Sequence, residues 1–541
     1  MLAWNRHPRL VAPAGPVVLA ILDGVGLGGG GEDDAVARAR TPTLDWLTAH
    51  ASFRALAAHG TAVGLPSDDD MGNSEVGHNA IGAGRVFDQG AKRVEQALAS
   101  GALWSSDVWR SLCDGQTLHF LGLVSDGNVH SHVDHLTAMI QRAAATGVRR
   151  VRVHALTDGR DVGPRTALTW IRPLEALLAA LSGPDRDYRI ASGGGRMHLT
   201  LDRYEADWEM VARGWRCHVR GEGRTFRSAS EAIETFYAEN PSVDDQWLPA
   251  FVVADADGPV GRIHDGDSVL LFHFRGDRAI EISRAFEDTD FTAFDRGHRP
   301  EVTFAGMMQY DGDLHLPRRF LVTPPAIDRT VGEHLCAAGV PTLACSETQK
   351  FGHVTYFFNG NRSGRIDDRL ETWVEVPSDQ RPFAERPWMK CAEIADVTVD
   401  ALARGARGHL RVNFANGDMV GHTGALAPTI QAVEAVDLQL GRLVSAVRQA
   451  GGVLLVTADH GNADEMYMRD KKGQIQRDAH GTPAARTSHT LNPVGFWAWS
   501  PAGRLPLAEL PGAGIASVGT TVLELCGIAR PDGYLPGLLA L

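Results

Sequence analysis

Short apolar runs recur along the chain, and each breaks into a polar loop. PVVLAILDG ends at Asp23, HLRVNFANGD ends at Asp418, and GGVLLVTADHG delivers Asp459 and His460. Apolar runs of this length predict strands buried on both faces of a parallel sheet. LHFLGLV, VRVHALT, YRIAS and SVLLFHF repeat the plan in the middle of the chain. Between the runs lie stretches such as Thr429 to Gln449, whose apolar residues fall near helical spacing. Strand–helix alternation of this kind predicts an α/β fold. In such folds ligands collect beyond the carboxyl ends of the strands, so the residues that close each run are the candidates for chemistry.

Those closing residues differ between the middle of the chain and its two ends. The outer runs end on Asp and His, whereas the central ones lead to His130, Arg160, Asp161, Arg196, Arg275 and Arg278. The change of chemistry predicts a central domain over 92–321 and a discontinuous outer domain formed by 1–88 and 325–541. Linkers are expected at Phe87–Gln89 and at the proline-stiffened Val322–Pro325. The length agrees, because 541 residues exceed the roughly 250–300 that one hydrophobic core serves. Residues 1 to about 15 fall outside the pattern and are expected to be a loose extension.

Charge and cysteine usage narrow the partners. With 66 acidic against 53 basic side chains the net charge is −13, and an acidic chain lacks the basic stripe that nucleic-acid binding requires. The six cysteines show no C-x-x-C spacing, which predicts neither a disulfide framework nor a thiolate metal site. No apolar run approaches the roughly 20 residues that span a bilayer. A cytoplasmic protein without nucleic-acid or membrane partners is expected.

Asp418 and His422 stand four residues apart, Asp459 and His460 are adjacent, Asp23 adds a carboxylate, and His489 follows in TSHTLNP. A lone Asp at a strand end is more often a helix cap than a ligand. Three carboxylates and three imidazoles at equivalent strand ends reverse that expectation, and the oxygen-and-nitrogen set suits Mn²⁺ or Zn²⁺. His480, in the polar loop before His489, has the weaker context. Ser74 lies in GNSEVGH, where flanking glycines would present it closely to a ligand. There is no Gly-x-Ser-x-Gly elbow, so activation of this serine by a metal is the better route to a nucleophile. His78 in the same motif is read as a supporting residue.

Taken in order, DGVG at Asp23, GNSEVGH at Ser74, NFAN-DMVGHTG at Asp418, TADHGNADEM at Asp459 and SHT-NP at His489 resemble the cofactor-independent phosphoglycerate mutases of the alkaline phosphatase superfamily. SDGNVHSH, DGRD, FRGDRAIEIS and ETQKFGHVTYFFNG extend the resemblance across nearly the whole chain. It implies an alkaline-phosphatase-like parallel-sheet domain with a second α/β domain inserted into it. It also implies two divalent ions, Mn²⁺ by preference, one held by Asp418, His422 and His489, the other by Asp23, Ser74, Asp459 and His460. Ser74 would be the nucleophile, Lys350 would act on the phosphoryl group, and Asp161 would exchange protons with the substrate hydroxyls. His130, Arg160, Asp161, Arg196, Arg203, Arg275, Arg278 and Lys350 would bind phosphoglycerate. The implied enzyme is a monomer that interconverts 3- and 2-phosphoglycerate through a phosphoserine, without 2,3-bisphosphoglycerate. Another metal-dependent phosphomutase or phosphatase of the superfamily is the alternative, but a phosphatase would lack the His130, Arg160–Asp161 and Arg275–Arg278 set. Closure of two domains over the substrate would keep water from the phosphoserine.

Overall fold

The computed structural model describes residues 2–10, 12–202, 207–311, 314–325, 327–470, 472–478 and 480–540; Arg203 lies outside them. The chain divides into two compact units, one formed by Met1–Gln89 with Ala326–Leu541 and the other by Gly90–Pro325. Both are α/β.

In the first unit the described strands form an eight-stranded sheet. Its order is Glu371–Val376, Thr342–Glu347, His409–Phe414, Val17–Leu22, Val453–Thr457, Val494–Ser500 and Gly503–Arg504, with Ser52–Leu56 also pairing Val494–Ser500. The first five run parallel, and those from Val494–Ser500 outward are antiparallel. Val17–Leu22 is buried at every position, as expected of a central strand with helices on both faces. Helix Leu426–Ala450 covers the predicted amphipathic stretch, starts three residues earlier and ends on Gly451 in a left-handed conformation. The leading residues are not loose. Arg6 pairs with Ile528, and the His7 amide donates to the Gly527 carbonyl at 2.8 Å, because the backbone after helix Ala516–Leu525 offers free pairing groups.

In the second unit nine strands take the order Phe320–Val322, Thr303–Met308, Ser268–Leu271, Leu118–Leu123, Arg150–Thr157, Asp187–Gly195, Phe251–Asp255 and Arg224–Phe226, with Gly258–Pro259 pairing Phe251–Asp255. The run from Phe320–Val322 to Asp187–Gly195 is parallel throughout. Strand Ser268–Leu271 stops short of the predicted SVLLFHF. His273 turns away to accept the Leu123 amide on Nε2 at 3.0 Å, and the Phe274 amide donates to the His130 carbonyl at 2.8 Å.

One packing contact in the first unit bears directly on Ser74. Helix Ser74–Ala83 is clamped through glycines: a methyl group on Gly519 would lie 2.0 Å from the Ile81 carbonyl, and one on Gly82 would lie 2.0 Å from that of Phe358. Gly519→Ala is therefore expected to destabilise the first unit by about 1–3 kcal/mol through overpacking. Gly364→Ala, with nothing within 4 Å of the new methyl, should be neutral. Urea unfolding of both variants checks this, and equal midpoints would refute the clamp.

Candidate active site

Four neighbouring parallel strands of the first unit deliver their carboxyl ends to one place. Val17–Leu22 ends at Asp23, Val453–Thr457 leads to Asp459 and His460, His409–Phe414 leads to the short helix Asn416–Gly421 carrying Asp418, and Thr342–Glu347 leads to Lys350. Asp418 and His422 share a helical face by their four-residue spacing. Gly24, at φ +75°, lets the first turn pass close to the Asp418 backbone, where a side chain at this position would come within 2.6 Å. Ser74 is the first residue of helix Ser74–Ala83, capped by Asn73, so it sits at the positive end of the helix dipole.

The side chains converge. Ser74 Oγ lies 2.9 Å from His460 Nε2 and 3.2 Å from Asp23 Oδ1, and it accepts a short hydrogen bond from Lys350 Nζ. Lys350 Nζ also contacts Asp23 Oδ1 at 2.8 Å and Asp418 Oδ2 at 2.7 Å. His489 Nε2 stands 3.0 Å from Asp418 Oδ1 and 3.1 Å from His422 Nε2. All eight predicted residues of this unit, Asp23, Ser74, Lys350, Asp418, His422, Asp459, His460 and His489, are buried here. His480 is exposed on its loop. Arg486, which contacts the His489 carbonyl at 2.6 Å and Glu465 at 2.7 Å, anchors the loop's return.

The donor set fits a cation. His422 Nδ1 faces the Thr487 carbonyl at 2.6 Å and His489 Nδ1 faces that of Gly72 at 2.8 Å, so each ring donates there and turns an Nε2 lone pair inward. His422 Nε2, His489 Nε2 and Asp418 Oδ1 thus lie within about 3 Å of one another, two imidazole nitrogens and a carboxylate oxygen of the kind that ligate a cation. A positive ion satisfies all three. Asp418, His422 and His489 form one cluster of possible ligand atoms within 4.8 Å of one another, and Asp23 groups with Asp418 and His460 and with His78 and Asp459 in two others. Three buried carboxylates stand around the buried amine of Lys350 and the imidazole of His460.

The second unit assembles a different set at the ends of four neighbouring strands. Arg196 donates through Nη1 to Asp158 Oδ1 at 2.6 Å and to Asp161 Oδ2, and through Nη2 to His130 Nε2 at 2.8 Å. Arg275 Nε pairs with Asp277 at 3.0 Å, and Arg278 Nη1 donates to the Leu201 carbonyl at 2.5 Å. Arg160 lies beside them, its backbone amide on Asp158. Four guanidinium groups and three carboxylates are thus buried together.

A 2,3-bisphosphoglycerate-independent phosphoglycerate mutase of Trypanosoma brucei brucei is 52% identical to this chain over 549 residues, covering 99% of each. The chain belongs to that family. The family model for the BPG-independent PGAM N-terminus matches residues 94–312. A mutase of the same description from Arabidopsis thaliana is 48% identical over 551 residues, covering 99% of this chain and 98% of its own. A Leishmania mexicana phosphoglycerate mutase, crystallised at low cobalt concentration, superposes with a TM-score of 0.97 at 50% identity over the full length of both chains.

Within this mutase chain, several residues that support the site escaped the sequence reading. Asn413 donates to Asp23 Oδ2 at 2.7 Å, and Asp158 accepts from Ser125 Oγ at 2.7 Å as well as from Arg196. Asp464 accepts from the Gly26 amide at 3.2 Å, Thr490 Oγ1 at 2.8 Å and Asn492 Nδ2 at 2.7 Å, tying the His489 segment to the first turn. Each stands inside a motif already singled out, but as a buried polar partner it has no periodicity to mark it. His78 is such a support: its Nδ1 lies 2.8 Å from the Ser74 carbonyl and 3.3 Å from Asp459.

The electrostatics of the two sets are opposite in sign. Burial alone would lower the His460 imidazole, but Asp459, Asp23 and Asp418 outweigh it and raise it to about 9. Burial would likewise raise Asp418 and Asp459, yet the neighbouring imidazoles and Lys350 hold both below the usual carboxylate range. In the second unit, burial and then Arg196 press His273 down to about 3, and burial with Arg196 and Arg275 keeps His130 neutral.

Neutral imidazoles in the second unit carry a pH signature. Burial lowers His218 to about 3 and His135 to about 4, and it lowers His119 and His154 as well. Unfolded, each imidazole takes up a proton near pH 6.5, so the unfolded state binds more protons below that pH and stability is lost as pH falls. Asp245, raised to about 6 by burial, opposes this with one proton, and Asp126, Asp244 and Glu287 are raised less far. The six imidazoles prevail. Lowering the pH from 6.5 to 5.5 is expected to remove several kcal/mol from the second unit, about 1 kcal/mol for each imidazole that stays neutral in the fold. Hydrogen exchange at the amides of Leu118–Leu123 and Arg150–Thr157, corrected for intrinsic rates, reads this loss. Equal protection at the two pH values would mean that the imidazoles protonate inside the fold.

Proposed function

We propose that the protein interconverts 3-phosphoglycerate and 2-phosphoglycerate through a phosphoserine at Ser74, without 2,3-bisphosphoglycerate. The observation that carries this reading is Ser74 itself: a buried hydroxyl at a helix N-terminus, touching Lys350, His460 and Asp23 beside clusters of carboxylates and imidazoles that could hold a metal ion. Membership of the mutase family supplies the substrate.

Two divalent ions, Mn²⁺ by preference, would be held by Asp418, His422 and His489 and by Asp23, Ser74, Asp459 and His460. Bound there, they would lower the pKa of the serine hydroxyl and neutralise charge on the transferring phosphoryl group. Ser74 Oγ forms its bond to phosphorus as the bond to the substrate's 3-oxygen breaks. Lys350, already within hydrogen-bond reach of Ser74 Oγ, places its ammonium beside the phosphoryl oxygens. Asp161 takes a proton from the glycerate 2-hydroxyl and returns it to the 3-oxygen, after which the 2-oxygen attacks phosphorus and frees Ser74. His130, Arg160, Arg196, Arg203, Arg275 and Arg278 hold the glycerate carboxylate and hydroxyls, guanidinium being suited to bidentate grip.

The same reading makes this a glycolytic and gluconeogenic enzyme acting as a monomer in the cytoplasm on a small anion. The net charge of −13 argues against a nucleic-acid partner. Among the described residues no helix is long and apolar enough to cross a membrane.

The purified chain with Mn²⁺ and 3-phosphoglycerate, and no 2,3-bisphosphoglycerate, should form 2-phosphoglycerate in a coupled assay. Ser74→Ala should abolish turnover by a factor of about a thousand or more, and Asp418→Asn should lower bound metal per chain by elemental analysis. Turnover that depends on the bisphosphate, or that survives Ser74→Ala, would refute the reading.

A further inference from the structure

Six buried polar groups cross the sheet of the second unit in single file. Asp267, one residue ahead of strand Ser268–Leu271, lies 3.2 Å through Oδ2 from His119 Nε2 on the neighbouring strand Leu118–Leu123. His119 Nδ1 meets His154 Nε2 at 2.9 Å on the next strand, Arg150–Thr157, and His154 Nδ1 meets Ser192 Oγ at 2.7 Å on the next, Asp187–Gly195. Ser192 Oγ lies 2.7 Å from Nδ1 of His218, the last residue of helix Trp208–His218, and His218 Nε2 lies 3.0 Å from Thr200 Oγ1. All six are at most 3% exposed. The reaction proposed above uses none of them.

Their donors and acceptors fall into one order. An ionised carboxylate only accepts, so His119 donates to Asp267 from Nε2 and is left with an acceptor at Nδ1. His154 fills that acceptor from Nε2, and Ser192 donates to His154 Nδ1. The Ser192 oxygen then accepts from His218 Nδ1, and Thr200 donates its hydroxyl proton to His218 Nε2. Burial favours this neutral arrangement, since it lowers His119, His154 and His218 alike. The array starts at a carboxylate and ends by fixing one hydroxyl.

That hydroxyl belongs to a strained residue in the substrate loop. Thr200 has φ +66°, a left-handed conformation that β-branched residues rarely adopt and that persists only where the surroundings over-determine it. Its amide donates to the Met210 carbonyl at 2.9 Å, and Gly214 leaves room for it, since a methyl there would lie 2.1 Å from Thr200 Oγ1. Thr200 stands between Arg196 and Arg203 in the chain, and the next residue, Leu201, offers the carbonyl that receives Arg278 at 2.5 Å.

We propose that the Asp267–His119–His154–Ser192–His218–Thr200 array is a positioning device for substrate binding. It pins the left-handed Thr200 backbone, which sets the carbonyl that aims Arg278 and the path by which the chain leaves Arg196. Thr200, His218 and Ser192 are its positioning residues. The role rests on reading Arg196 and Arg278 as substrate-gripping.

Thr200→Val keeps the shape and β-branching of the side chain and removes only the donor, whereas Thr200→Ser keeps the donor. In the full-length Mn²⁺ enzyme, Thr200→Val is expected to raise the KM for 3-phosphoglycerate about tenfold with kcat within about twofold of wild type, because grip lost equally in ground and transition states appears in KM. Thr200→Ser should restore the wild-type KM. Ser192→Ala, which interrupts the array two steps away, should raise KM in the same direction. A Thr200→Val enzyme with wild-type KM, equal changes in the Val and Ser variants, or an unchanged Ser192→Ala enzyme would overturn the proposal while leaving the mutase reading intact. A wild-type chain that neither binds 3-phosphoglycerate in calorimetry nor isomerises it would overturn the reading on which the proposal rests.

Discussion

Asp23, Asp418 and Asp459 are buried within a few ångströms of one another with one amine, Lys350, among them. An isolated buried carboxylate is so costly that it normally takes up a proton, and a cluster of three survives ionised only where positive charge is fixed beside it. Much of the first unit follows from that constraint. Adjacent parallel strands bring the carboxylates to one edge, Asn413 and the Gly24 amide spend their donors on them, and His422 and His489 turn their N–H groups outward to carbonyls so that lone pairs face the centre. Lys350 serves two carboxylates and Ser74 at once. The site is built as an anionic shell, and in the proposed reading cations and the serine nucleophile share that one centre.

The second unit uses the same strand-end logic with opposite chemistry. Its arginines are not left bare: Arg196 is held by Asp158 and Asp161, and Arg275 by Asp277. Each carboxylate fixes a guanidinium plane and lowers the cost of burying it. His130, accepting from Arg196, is thereby committed to the neutral tautomer with its proton on Nδ1, toward Asp277 at 3.6 Å.

How much of this could be read from sequence depends on whether a residue's role has a local signature. The central strand Val17–Leu22 is legible because its apolar run is buried on both faces, whereas His409–Phe414 is equally buried although His409, Arg411 and Asn413 alternate with its apolar residues. The resemblance to a family then joined Ser74 and Lys350 to the residues that close these runs. What could not be read was long-range pairing: the bridge of Arg6 to Ile528, or Asp464 joining Gly26 to Asn492. Nor does composition reveal that three histidines on separate elements, His119, His154 and His218, share one hydrogen-bond chain, since each alone reads as an ordinary core imidazole. A threonine held in left-handed backbone is equally silent, because sequence expectation reserves that conformation for glycine and asparagine.

The pairing of arginines with carboxylates in the second unit bears on the proposed reaction itself. Glycerate must stay bound while it turns to present its other hydroxyl, so a grip that favours one orientation strongly would slow the step it serves. In the proposed reading, four buried guanidinium groups supply directed N–H donors, and the carboxylates paired with them temper their positive field. Orientation can then change by exchanging hydrogen-bond partners, without first pulling an anion out of a deep electrostatic well. In that reading the strong field belongs to the first unit, where it would act on Ser74 and the phosphoryl group it would carry.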